Sequence, residues 1–97
     1  MDDIPDKFWI PCRFWRDGYD LKGRYWLGAM PYVRRNGLFG PKWERQPFVR
    51  FDGIVSRDEI VLKLTAAGKD VMTSRQGQFE MPAKLSRRRI LKELELA

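Results

Sequence analysis

The chain has 97 residues, 43% of them hydrophobic, with 19 basic and 13 acidic side chains, a net charge of +6 and a pI near 9.8. That balance suits one small folded domain of modest stability, excludes wholesale disorder, and favours an anionic partner: nucleic acid, an acidic protein face or a membrane surface. One cysteine, Cys12, and no histidine exclude an intramolecular disulfide, a Cys/His zinc site, a Ser-His-Asp triad and a Cys-His dyad.

Residues 1–6, Met-Asp-Asp-Ile-Pro-Asp, are acidic and lack an apolar run. They read as a loose lead-in and not as a signal peptide. No stretch is apolar enough to span a bilayer, so the expectation is a cytoplasmic protein without membrane contact. From Lys7 to Asp52 the chain holds every aromatic residue except Phe79. A basic-aromatic-Trp triplet occurs three times, at Lys7-Phe8-Trp9, Arg13-Phe14-Trp15 and Arg24-Tyr25-Trp26, with Lys42-Trp43 as a shorter echo.

Phe8 to Arg16 reads as extended, because Pro11 forbids a helix interior; an edge strand fits. Asp17-Gly18 is a turn signal. A second extended run, Arg24 to Arg34, can pair with the first. Asn36-Gly37 is the strongest hairpin signal in the chain, since both residues tolerate positive φ. Gly40-Pro41 reads as a break, and Pro47 to Phe51 as a third extended segment.

The pattern then turns helical. Ser56-Arg57-Asp58-Glu59 is a capping box, Ile60, Val61, Leu64 and Ala67 share one face, and Gly68 is a natural stop. Lys69 to Gln78 reads as a polar loop, and Phe79 to Met81 as a short strand or loop anchor. A second helix begins near Ser86, with Leu85 and Ile90 spaced as a hydrophobic staple and Ile90, Leu91 and Leu94 as its apolar face. Arg87, Arg88 and Arg89 then fall in the first turn, where positive charge opposes the helix dipole. A start at Pro82 would move them into the interior. The expected architecture is α+β: a small single domain over 1–97, with a lead-in at 1–6, an aromatic-rich extended half at 7–53 and a helical part with two helices at 54–97.

No catalytic or metal motif is present, and the carboxylates are scattered singly among basic residues, so neither an enzyme nor a cofactor is expected. The plain reading of any one aromatic is core filler. Four Trp beside several Phe and Tyr exceed what so small a core needs. Trp9, Trp15, Trp26 and Trp43 are therefore candidate partner anchors, together with Arg87, Arg88 and Arg89. Two kinds of function follow. One is a module that grips a larger protein through aromatic and arginine anchors. The other is a small DNA- or RNA-binding protein, for which binding is expected to be weak and non-specific because the cations are interspersed with apolar groups.

A short, basic, Trp-rich, His-free chain with K-F-W-I-P-C-R-F-W-R-D-G at its front resembles the small early proteins of lambda-like phages, and among them the anti-RecBCD accessory proteins. The resemblance spans the whole chain in length and style and rests on no diagnostic motif. It implies a non-enzymatic protein that binds the host RecBCD nuclease through RecC in the cytoplasm and inhibits or modulates it. It also implies a host prolyl isomerase as a further partner, for which the bonds before Pro11, Pro31, Pro41 and Pro47 are the places to look.

Overall fold

The computed structural model describes residues 4–15, 25–74 and 82–96. It is a small α+β fold: a curled, mostly antiparallel sheet with two helices. Strand β1 (Lys7–Trp15) pairs antiparallel with β2 (Tyr25–Gly37) in one unbroken register from Lys7↔Val33 to Trp15↔Tyr25. Strand β3 (Gly40–Arg45) pairs with the second half of β2, and the two-residue β4 (Val49–Arg50) with its first half. Helix α1 (Arg57–Ala66) follows, then β5 (Met72–Ser74), β6 (Lys84–Ser86), helix α2 (Arg87–Glu93) and β7 (Leu94–Leu96). Strand β6 pairs with β3, and β5 with β7.

The near-continuous apolar run of β1 has a simple cause: both faces of the β1–β2 ribbon are covered. Residues of even number in β1 and β2 (Phe8, Ile10, Met30, Tyr32) share one core with Trp43, Met72, Leu85, Ile90 and Leu94. Odd-numbered Trp9, Leu27 and Ala29 share the other with Ile60, Leu64 and Val71. Thus α1 seals one face, while α2 and β7 seal the other. Val71 and Met72 enter opposite cores from adjacent positions, because this segment runs beside β1; Trp9 N–H donates to the Asp70 carbonyl at 2.9 Å. That bridge caps a stretch of the β1 edge, which pairs with no other strand among the described residues.

Pro11 and Pro31 sit in the middle of strands without breaking the ladder. Trp9 directs its N–H outward to Asp70, so the Trp9↔Pro31 pair is of the non-hydrogen-bonded kind. Pro31 therefore has its imino nitrogen on the side facing the gap between β3 and β4. Pro11, two residues after Trp9, has its nitrogen on the outer edge of β1. Among the described residues no peptide bond is cis.

Both helices begin as their caps dictate. Ser56 Oγ accepts from Glu59 N–H, and Ser86 Oγ accepts from Arg89 N–H at 3.2 Å. Gly68, at φ 73°, ends α1: its N–H reaches the Thr65 carbonyl, and Lys69 N–H reaches that of Leu64. These two bonds form a Schellman motif. Ser56→Ala should destabilise the protein by about 1 kcal/mol, read as a lower urea midpoint at unchanged slope.

Several expectations need correction. The two-residue turn lies at Leu38-Phe39, because Gly37 pairs with Gly40 and Asn36 with Pro41. A turn at Asn36-Gly37 would slide Trp43 about 13 Å along β2, from its place opposite Arg34 to one opposite Met30, away from the Pro5 carbonyl that its indole N–H binds. Core packing outweighs the local turn preference. Gly40-Pro41 accordingly opens a strand and is not a break. Residues 4–6 are tied down: Ile4 packs on the first core, the Pro5 carbonyl accepts from Trp43 Nε1 at 2.9 Å, and Asp6 pairs with Arg34 at 3.4 Å. Met72–Ser74 is a strand inside the expected loop, since Val71 and Met72 supply apolar side chains to the two cores. Ala67 is exposed. Helix α2 starts after Ser86 and not at Pro82, because 84–86 pairs with β3; it ends at Glu93, which leaves Leu94 in β7 and Leu91 largely in solvent. Segment 54–97 thus contributes three short strands as well as two helices. The readings at 17–18 and 79–81 lie outside the described residues.

Candidate functional site

The structure divides the tryptophans. Trp43 is 3% exposed and Trp9 8%. Trp43 fills the first core with its indole N–H bonded to Pro5. Trp9 lies in the second core, flanked by the ammonium groups of Lys7 at 5.1 Å and Lys69 at 4.7 Å from its ring. Both are structural and neither offers a face to a partner, which corrects their reading as anchors. The reason is the two-sided sheet, which needs two cores and so consumes more aromatic bulk than one. Trp15 ends β1, and its side chain lies outside the described residues.

Trp26 is 38% exposed and carries the Arg50 guanidinium 5.0 Å over its ring. Arg50 also pairs with Asp52 at 2.9 Å. An open groove of ≈ 300 Å³ runs beside them, lined by Trp26, Leu27 and residues 50–55. Arg87, Arg88 and Arg89 are exposed on the first turn of α2. Arg89 pairs with Glu93 at 3.0 Å, an i,i+4 contact that eases the charge at this helix start.

These candidates do not form one surface. Ser86 stands opposite Lys42, and Lys42 opposite Arg35. The arginines of α2 therefore leave the sheet at the β2–β3 hairpin end. Trp26 lies near the other end of β2, nine residues before Arg35, or about 30 Å away.

Sequence reasoning missed the residues that the hairpin end presents. Leu38 is 99% exposed and Phe39 95%, side by side at the tip of the β2–β3 turn. Behind them stand Asn36, Arg34, Arg35 and Lys42, and beyond the neighbouring strand Arg87 to Arg89. Six cations thus gather at this end, against the carboxylates of Asp6, Glu44 and Glu93, which pair with Arg34, with Arg35 and Lys84, and with Arg89. These pairs are exposed and hold their partners weakly. The available signal was the pair Leu38-Phe39 directly after Asn36-Gly37: apolar residues where a turn ordinarily carries polar ones.

Two titratable groups, Cys12 and Tyr32, are shifted by burial. Burial pushes the Cys12 thiol up to about 12, with a hydrogen bond from Met30 and the Arg57 charge acting the other way. Tyr32 also rises to about 12 through burial, and its hydroxyl donates to the Pro82 carbonyl. Both are protonated in the fold where the unfolded chain would ionise. Their contribution to stability is present below the unfolded values, 9.0 and 10.0, and is lost as pH rises toward 12. Native Cys12 should react with a thiol reagent at pH 8 about a thousandfold more slowly than the urea-unfolded chain, followed by absorbance.

Among the described residues no three Cys, Asp or Glu side chains gather as a metal site requires, and no helix is long and apolar enough to cross a membrane. Comparison with protein-family models, with curated proteins and with solved structures finds no significant match.

Proposed function

We propose that this chain is a small non-enzymatic, phage-type binding protein of the host cytoplasm that docks on an enzyme of nucleic-acid metabolism and inhibits or modulates it. The observation that carries this reading is the hairpin end: Leu38 and Phe39 project into solvent ahead of Arg34, Arg35 and Lys42, with Arg87 to Arg89 to one side. Isolated apolar residues at a turn add nothing to folding. Exposed aromatic and arginine side chains together are the usual anchors of an interface. The likeness to the anti-RecBCD accessory proteins makes RecBCD, engaged through RecC, the first enzyme to test. Of the four prolines considered for an isomerase partner, Pro11 and Pro31 are buried in the sheet and Pro47 is exposed. The test titrates the protein into purified RecBCD degrading linear duplex DNA. Altered degradation by the parent, lost in the Arg87→Ala/Arg88→Ala/Arg89→Ala variant, is the expected result. Unchanged degradation together with no complex on size exclusion would refute it.

A second reading is favoured by the kind of polar groups at the same end. Five arginines, Lys42 and Asn36 stand behind and to one side of the tip, a set suited to phosphates and base edges. With Trp9 and Trp43 buried, two of the platforms for stacking single-stranded bases are gone, so duplex is the better target. Such binding would be weak and non-specific, its log affinity falling with log salt at a slope of about −4 for four or five phosphate contacts.

A further inference from the structure

The hairpin end has the form of a wedge, and we infer that Leu38 and Phe39 enter the minor groove of duplex DNA and pry apart a pair of stacked base pairs, while Arg35, Lys42 and the arginines of α2 hold the flanking phosphates. This rests on the nucleic-acid reading of the same surface and adds a mode of binding to it.

Three observations carry the inference. The first is the tip itself, two adjacent apolar side chains at 99% and 95% exposure on a ribbon only two strands wide at that point. Proteins that bend DNA insert such residues between base steps from the minor groove. The second is spacing. The Arg35↔Lys42 pair stands three residues behind the tip residues Leu38 and Phe39, about 10 Å along the strands. The minor groove is about 7.5 Å deep. A tip that reaches the floor therefore leaves these two residues about 2–3 Å outside the phosphate rims, a gap that a long arginine or lysine side chain spans. Arg87 to Arg89, one strand further over, extend the positive surface along one wall.

The third observation is Asn36, which is exposed between the apolar tip and the cations. Any occupant that swallows the tip also surrounds this amide. In the hydrocarbon region of a lipid surface the amide would lose its hydrogen bonds. The floor of the minor groove offers acceptors on every base pair. This contrast favours duplex DNA over a membrane.

The experiment uses the full chain, a duplex of about 25 base pairs with fluorophores at its ends, and a second duplex containing 2-aminopurine as an unstacking reporter. The parent should shorten the end-to-end distance and raise the 2-aminopurine emission. The Leu38→Ser/Phe39→Ser variant removes no buried side chain, and its melting curve should match the parent's. It should still bind duplex with the same salt slope, and lose both the bend and the emission change. Parent binding without bend or unstacking, or a variant that retains both, overturns the wedge and leaves the nucleic-acid reading standing. No duplex binding even at low salt overturns both. Tip-dependent binding to vesicles of phosphatidylcholine and phosphatidylserine, with no bending of DNA, assigns the tip to a lipid surface and overturns the wedge as well.

Discussion

Trp43→Ala should leave a large fraction of the protein unfolded at room temperature. The indole is almost wholly buried against Phe8, Tyr32 and Leu85, and its N–H occupies the Pro5 carbonyl. Truncating a buried aromatic of this size removes about 3–5 kcal/mol. A domain of this length has roughly 5–15 kcal/mol in all, and small ones lie at the low end. The loss also releases residues 4–6, since one of their ties is the Trp43 bond. Trp43→Phe keeps most of the bulk and should lose far less. Trp26→Ala, on a half-exposed ring, should lose less than about 1 kcal/mol. Urea titrations followed by circular dichroism rank the three. If Trp43→Ala melts like the parent, the assignment of this residue to the core is wrong.

Gly28→Ala should be nearly as damaging, although it adds one methyl group. A Cβ at Gly28 would lie 2.0 Å from the Val49 carbonyl oxygen and 2.6 Å from the Phe48 ring. The first of these is backbone, held by the pairing of β4 with β2, and cannot step aside. Phe48 packs over this glycine and against Phe14, with ring centroids 4.5 Å apart. Forcing β4 outward should remove about 3 kcal/mol, a fall in melting temperature of about 12–24 °C for a domain this size. Gly37→Ala is the control. Its nearest neighbour would be 3.6 Å away and its φ is not positive, so its melting temperature should hold or rise slightly. Equal melting of the two variants would contradict the β2–β4 packing described above.

The fold was legible where the signal was local. Ser56 and Ser86 marked both helix starts, Gly68 marked a stop, and Pro11 with the aromatic run marked β1 as extended, because caps and proline act on their immediate neighbours. Turn position and exposure were not legible, because both are decided at long range. Asn36-Gly37 lost its turn to the register that seats Trp43 opposite Arg34, where its indole N–H meets the Pro5 carbonyl. The same shift put Leu38 and Phe39 at the tip, which no local rule anticipates. The burial of Trp9 and Trp43 was missed for a related reason. Counting aromatics against a single core left an excess, whereas a ribbon covered on both sides has two cores to fill. The arginines of α2 kept their exposed position, and their proximity to the hairpin end follows only from the Lys42↔Ser86 pairing across the sheet.

The two-sided cover of β1 and β2 also governs how the molecule can be assembled in time. The ribbon itself is local: its strands are neighbours in the chain and pair in simple antiparallel order. Its two lids come from far along the chain, Ile60 and Leu64 on one side, Ile90 and Leu94 on the other. Any state in which the ribbon has paired before both lids dock presents apolar side chains on both surfaces at once, beside the open edge of β1. Such a state is as ready to pair with a second copy as with its own helices. Closing the longer loop, which brings Leu94 back to Phe8, is expected to be slower than closing the one that brings Leu64 back to Trp9. Refolding yield should therefore fall as protein concentration rises, even where the native state is fully stable.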